Sequence, residues 1–169
     1  MYFTADTHFN HKNIIQYCNR PFQTVEEMNE TLIQNWNNVV RTNDIIFHLG
    51  DFGFGKINKS IDILKRLNGK KYLITGNHDK KLNNEFKSYF EFVRSYYEIK
   101  DIEPNIVLNH YSSIVWHKQH HGTWLLYGHH HGKLKESFYR KSMDVGIDCH
   151  PYYRPFHYDE IKEILNNRG

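Results

Sequence analysis

The sequence predicts an α/β fold, with strand–helix units and parallel strands in the first half and a β-rich second half. Three observations predict it. Short apolar runs alternate with amphipathic helical stretches as far as His78, each of those apolar runs ends in polar residues, and from Tyr97 onward apolar runs follow one another across turns.

Met1 to Asp6 reads as the first strand, apolar and aromatic until the polar Asp6-Thr7-His8. A helix over Val25 to Arg41 follows: Thr24 and Glu27 form a capping box, and Val25, Met28, Leu32, Trp36 and Val39 recur at helical spacing on one face. Asp44 to Leu49 is the second strand, and Ile57 to Leu67 is its crossover helix, closed near Gly69. Lys71 to Thr75 is the third strand, ending in Gly76-Asn77-His78-Asp79. Strand, helix and strand in repetition imply parallel pairing with helices on the sheet faces. The charged stretch Lys80 to Lys87 reads as a solvated loop or helix face.

The second half predicts strands at Tyr97 to Ile102, Ile106 to Leu108, Thr123 to Tyr127 and Met143 to Ile147. A last helix over Tyr158 to Asn166, just after Pro155, turns Ile161, Ile164 and Leu165 inward.

A chain of 169 residues that is 39% hydrophobic and 15% aromatic fits one domain over residues 1–169 and excludes disorder. A formal charge of +3 permits phosphate-bearing ligands, nucleic acid among them, without naming one. Cys18 and Cys149 make no metal-type pair by spacing, and one disulfide would be a thin framework, so a reducing, cytoplasmic setting is expected. The N-terminus lacks the pattern of a signal peptide, and no apolar run approaches the ~18 residues of a membrane span. Thirteen histidines are the compositional oddity, because histidine is both a common metal ligand and a proton carrier near neutral pH.

Their placement carries chemistry. The strand ends at Asp6/His8, Asp51 and Asn77-His78 lie where open α/β sheets bind ligands. In an extended segment Asp6 and His8 point the same way and can grip one ion together, and His129 and His131 repeat that spacing. Gly50 lets the backbone turn so that Asp51 can offer both oxygens to two cations. Asn77 adds a carboxamide oxygen, and His110 follows the apolar run Ile106-Val107-Leu108.

Taken in order, Asp6/His8, Gly50-Asp51, Gly76-Asn77-His78-Asp79, His110 and Gly128-His129-His130-His131 resemble the calcineurin-like metallophosphoesterase superfamily, in particular its short bacterial and phage members. The resemblance implies a four-layer α/β/β/α sandwich of two mixed sheets. It implies that Asp6, His8, Asp51 and His131 bind one metal, that Asp51, Asn77, His110 and His129 bind a second, and that His78 is the catalytic histidine with Asp79 orienting its ring. Phe52-Gly53-Phe54 after Asp51 departs from the Ser/Thr protein phosphatases, and the tyrosine ligand of purple acid phosphatases is missing too.

The expected activity is hydrolysis of a phosphodiester or phosphomonoester by a metal-activated hydroxide, on a nucleotide-type or other small substrate. Mixed nitrogen and oxygen donors suit manganese, the expected activator, with iron, zinc, nickel and magnesium as alternatives. His11, Arg20, His117 and Arg140 are candidates for substrate contacts. A nuclease is the alternative, for which Trp116 to His121 offers a short basic and aromatic track. A catalytically inactive scaffold would lack donors or His78, all of which are present.

Overall fold

The computed structural model describes residues 1–135 and 140–168. Its first sheet has the order β4-β3-β2-β1-β9. Strands β1 (Tyr2–Thr4), β2 (Ile45–His48), β3 (Lys70–Ile74) and β4 (Val93–Arg94) run parallel, and β9 (Phe156–His157) pairs antiparallel with β1. The second sheet has the order β5-β6-β7-β8. Its strands are β5 (Tyr96–Ile99), β6 (Ile106–Asn109), β7 (Trp124–Tyr127) and β8 (Ser142–Asp144), all parallel except β5. Both sheets are therefore mixed, as the family resemblance implies.

The helices α1 (Ile14–Tyr17), α2 (Val25–Val39), α3 (Ile57–Leu64) and α4 (Asn84–Lys87) supply the core on the outer face of the first sheet. Met28, Leu32 and Trp36 of α2 and Ile61 and Leu64 of α3 bury against Ile46 and Leu73 there. Alternation along the strands then sends Phe3, Phe47 and Ile74 the other way, into the space between the sheets, where they meet Ile106, Leu108 and Leu126. Helix α5 (Tyr158–Asn166) adds Ile161 and Leu165 to that central core. Val107, Leu125 and Tyr127 face outward from the second sheet and are covered by Trp116, whose indole N–H donates to the Thr123 carbonyl at 2.7 Å. The outer layer on this side is thus slim, a loop with one short turn at Gln119–His121.

Element boundaries differ from expectation where local geometry intervenes. α2 ends at Val39, before Arg41, because Val40 is already extended. Thr24 accepts from the Glu27 N–H as expected, but the Glu27 carboxylate takes the Gln23 N–H, one residue outside the box. α3 stops at Leu64 rather than Leu67. β1 stops at Thr4 because Asp6 has φ +55°. β8 covers Ser142–Asp144, and Ile147 belongs to a short turn instead of the strand.

Candidate metal centre

Loops at the C-terminal ends of β1, β2, β3, β6 and β7 converge on one spot. They carry Asp6 and His8, Asp51, Asn77 and His78, His110, and His129 and His131 in turn. Two donor groups result. Atoms of Asp6, His8 and His131 lie within 4.8 Å of one another, and so do those of Asp51, His110 and His129. Asp51 Oδ2 joins the groups, at 3.6 Å from both His8 Nε2 and His110 Nε2. Asn77 Oδ1 lies 3.1 Å from His110 Nε2, so the carboxamide belongs to the second group.

These loops are not extended, and here the sequence reading needs correction. Asp6, His8, Asp51, His129 and His131 all have positive φ, from +48° to +72°. Side chains do not follow strand alternation in that conformation, so their convergence is a property of tight loops. Such backbone is uncommon for non-glycine residues and is held by its surroundings. Asp6 N donates to Gly50 O, His8 N to Asp51 O, and His129 N to Asp6 Oδ2, at 2.8–3.0 Å. Gly50 has the anticipated role: at φ +98°, a Cβ there would sit 2.5 Å from His110 Nδ1.

Burial shifts several titratable groups in the centre. Asp6 is fully buried, and burial, aided by the charges of Asp144 and Asp51, pushes its carboxyl well above the usual range. Asp6 Oδ1 and His8 Nδ1 are buried without a hydrogen-bond partner among the described residues. Burial also drives His8 down, so it is a neutral imidazole with a lone pair to give. Carboxyl groups, imidazoles and a carboxamide around orphaned buried atoms are a donor set that fits divalent cations.

Neighbouring groups orient the ring donors. His110 Nδ1 donates to Leu49 O at 2.7 Å, which leaves Nε2 free toward Asp51. His131 Nδ1 lies 2.7 Å from Asp148 Oδ2. Burial works against charge on His131, but hydrogen bonds with Asp148 and Cys18 and the nearby Asp6 raise it to about 10. Asp148 keeps its carboxyl below the usual range despite burial, because His131 and Arg20 hydrogen-bond to it.

With this geometry in place, comparison with known proteins is decisive: the pattern of the calcineurin-like phosphoesterases matches residues 1–167. The chain belongs to that family. Membership carries metal-dependent hydrolysis of phosphoric esters as the class of activity. An uncharacterized protein of Methanocaldococcus jannaschii is 39% identical over 98% of this chain and 90% of its own length. The Gene 66 protein of Mycobacterium phage L5 is 28% identical over 98% of this chain and 94% of its own. Among solved structures, a protein of unknown function from Aquifex aeolicus superposes with a TM-score of 0.74 at 25% identity, covering 97% of this chain and 98% of that one.

In this calcineurin-like phosphoesterase the remaining candidate residues separate clearly. His78 borders the donors: its Nε2 is 4.0 Å from Asp51 Oδ2, its backbone N–H donates to Asp51 Oδ1, and 40% of its side chain is exposed. Asp79 does not orient that ring. Its carboxylate accepts from the backbone N–H groups of Asp51, Phe52 and Gly76, pinning two donor loops together. His11 is beside the centre, its ring 5.3 Å from that of His8.

Arg20 is corrected more sharply. Its side chain is wholly buried, paired with Asp148, and donates to the carbonyls of Asp6 and Thr7, so it cannot reach a substrate. His117 is held by Glu98 at 2.6 Å, and Arg140 lines a separate cavity beside Tyr127 and Ser142. Neither is among the converging donors. Lys80 and Lys81 are exposed, and α4 begins only at Asn84.

Sequence reasoning missed Asp148 and Cys18, which lie within 4.8 Å of His131 as a third potential donor group. The only signal for Asp148 was a second acidic residue close behind Asp144 at a strand end. For Cys18 no spacing rule applied, since its neighbours come from the far end of the chain.

Proposed function

We propose that the chain hydrolyses a phosphodiester or phosphomonoester of a small or nucleotide-type molecule at a binuclear centre. The observation that carries this reading is Asp51 Oδ2, equidistant at 3.6 Å from an imidazole of each donor group. Asp6, His8, Asp51 and His131 would hold one cation, and Asp51, Asn77, His110 and His129 the other. Two divalent cations held there would supply Lewis acidity toward phosphoryl oxygens and would lower the pKa of a bound water from 15.7 toward about 7.

The chain's own residues orient and move protons. Leu49 O and Asp148 keep the Nδ1 protons of His110 and His131, presenting Nε2 as the donor atom. His78, half in solvent and beside Asp51, would give the proton on its Nε2 to the departing oxygen. The inward-facing Asp79 would preserve the loop geometry on which that transfer depends.

Manganese is the proposed activator, with iron, zinc, nickel and magnesium as alternatives, since affinity order alone does not select among them. Two free cysteines fit a reducing compartment, and we infer a cytoplasmic location on that ground. Among the described residues no helix is long and apolar enough to cross a membrane.

The test is turnover of bis-p-nitrophenyl phosphate, p-nitrophenyl phosphate, 2′,3′-cyclic nucleotides and a single-stranded oligonucleotide with added manganese, beside Asp51→Asn and His78→Ala. Metal-dependent turnover that collapses in both variants is expected. Turnover of no ester, or undiminished turnover in Asp51→Asn, would overturn the reading. Preference for the oligonucleotide would favour a nuclease.

A further inference from the structure

A cleft of about 620 Å³ opens beside His78, and its lining is of two kinds. Ile57, Leu82 and the buried Phe86 make it apolar inside, while Lys80 and Lys81 bring positive charge to it. Phe54 also lines this cleft and keeps 45% of its surface exposed.

One face of the Phe54 ring is already covered. His11 stacks on it with centroids 4.2 Å apart and planes 16° apart, and His78 meets it at a steep angle with centroids 5.8 Å apart. His11 is itself 5.3 Å from His8, so the stacked pair runs from the donor cluster to the cleft. The backbone fixes this arrangement. Phe54 N donates to Phe9 O at 2.8 Å and Phe9 N to Phe52 O at 3.0 Å, locking Phe54 in register with His8 and Asp51. Gly53 makes the close approach possible, since a Cβ there would lie 2.6 Å from Ser60 Oγ. A large aromatic is thus held partly in water, against the tendency of such rings to bury, and next to the donors.

We propose that Phe54, backed by His11, is a stacking platform for a planar ring, so that the ester hydrolysed is a nucleoside phosphate with its base in the cleft and its phosphoryl group at the metal donors. This rests on the phosphoesterase reading above. The cleft volume falls in the ~300–1,000 Å³ range of small-ligand sites. Aromatic faces accept bases of any sequence, and the two lysines favour an anionic ligand. The platform makes Phe54 a specificity-determining residue, outside the bond-breaking chemistry.

The experiment compares adenosine 5′-monophosphate with ribose 5-phosphate, in wild type, Phe54→Leu and Phe54→Tyr, all manganese-loaded. Wild type should favour the nucleotide at least tenfold in kcat/KM, Phe54→Leu should bring that ratio close to one through KM, and Phe54→Tyr should retain it. Saturation-transfer NMR with diamagnetic magnesium in place of manganese supplies a readout independent of turnover: adenine protons should receive saturation from wild type and Phe54→Tyr, and not from Phe54→Leu. Equal kcat/KM for the two esters in wild type, or silent adenine protons, overturns the platform while hydrolysis stands. Adenine saturation without turnover of these monoesters or of the diester bis-p-nitrophenyl phosphate overturns the hydrolytic reading and supports the platform as a binding site. Loss of both overturns both.

Discussion

Asp148 Oδ2 lies 2.7 Å from His131 Nδ1 while Arg20 grips both oxygens of the same carboxylate, at 2.7 and 2.8 Å. One buried cation therefore holds the carboxylate that orients the imidazole of a proposed metal ligand. Asp148→Asn keeps the shape and weakens the orientation. Metal affinity should fall about 10–100-fold, measured by competition against a chelating indicator. Unchanged affinity would remove Asp148 from this role.

Arg20 also donates to the carbonyls of Asp6 and Thr7, so its loss leaves buried acceptors unpaired as well as Asp148. Arg20→Met should cost about 3 kcal/mol of stability in urea unfolding. If Arg20 contacted substrate instead, the same variant would raise KM and leave the unfolding midpoint unmoved.

His78 and Asp79 are adjacent in sequence and should separate in experiment. His78→Ala should lower kcat about 10²–10⁴-fold with little change in melting temperature, because the side chain is half in solvent. Asp79→Ala abandons three backbone N–H groups, so it should lose about 2–3 kcal/mol of stability as well as activity. Melting curves beside kinetics for both variants make the comparison.

Gly76 is the tightest point in the centre. A Cβ there would collide with Asp51 Oδ1 and lie 2.7 Å from Asp51 N. Gly76→Ala should displace Asp51 and reduce kcat/KM at least about 100-fold. Wild-type kinetics in that variant would show that the position of Asp51 is not critical.

His48 gives the protein a pH dependence apart from metal binding. Burial, with a smaller effect from His110, pushes it down to about 3, while its Nε2 meets Thr7 Oγ1 at 2.9 Å. The unfolded chain protonates this residue near pH 6.5 and the folded chain does not. Its contribution is therefore full above about pH 6.5 and is lost as pH falls toward 3, with a slope of up to about 1.4 kcal/mol per unit. Urea unfolding of chelator-treated wild type and His48→Gln at pH 7 and 5 should show a flatter profile for the variant. Parallel profiles would contradict this.

Why some of this was legible in sequence and some not has a physical basis. Asp6, Asp51 and Asn77 could be found because an apolar strand buries up to its end and the next polar residue meets the ligand face. Their conformation could not, since positive φ at Asp6 and His8 depends on the Gly50 and Asp51 carbonyls that receive their N–H groups. Arg20 announced that it wanted an anion, but the anion was Asp148, 128 residues away. Asp79 was misassigned for the same reason, because its partners are backbone groups that carry no sequence signature. β4 and β9, two residues each, are too short for any periodicity to register.

The division of donors between the sheets has a consequence for how the protein is made. Asp6, His8 and Asp51 follow strands of the first sheet, whereas His110, His129 and His131 follow β6 and β7 of the second. A ribosome that has released the chain only through α4 has delivered the buried carboxylates without their later imidazoles. Neither proposed donor group is complete before His129 has emerged, so a nascent first half would lack the imidazoles it needs to hold a cation.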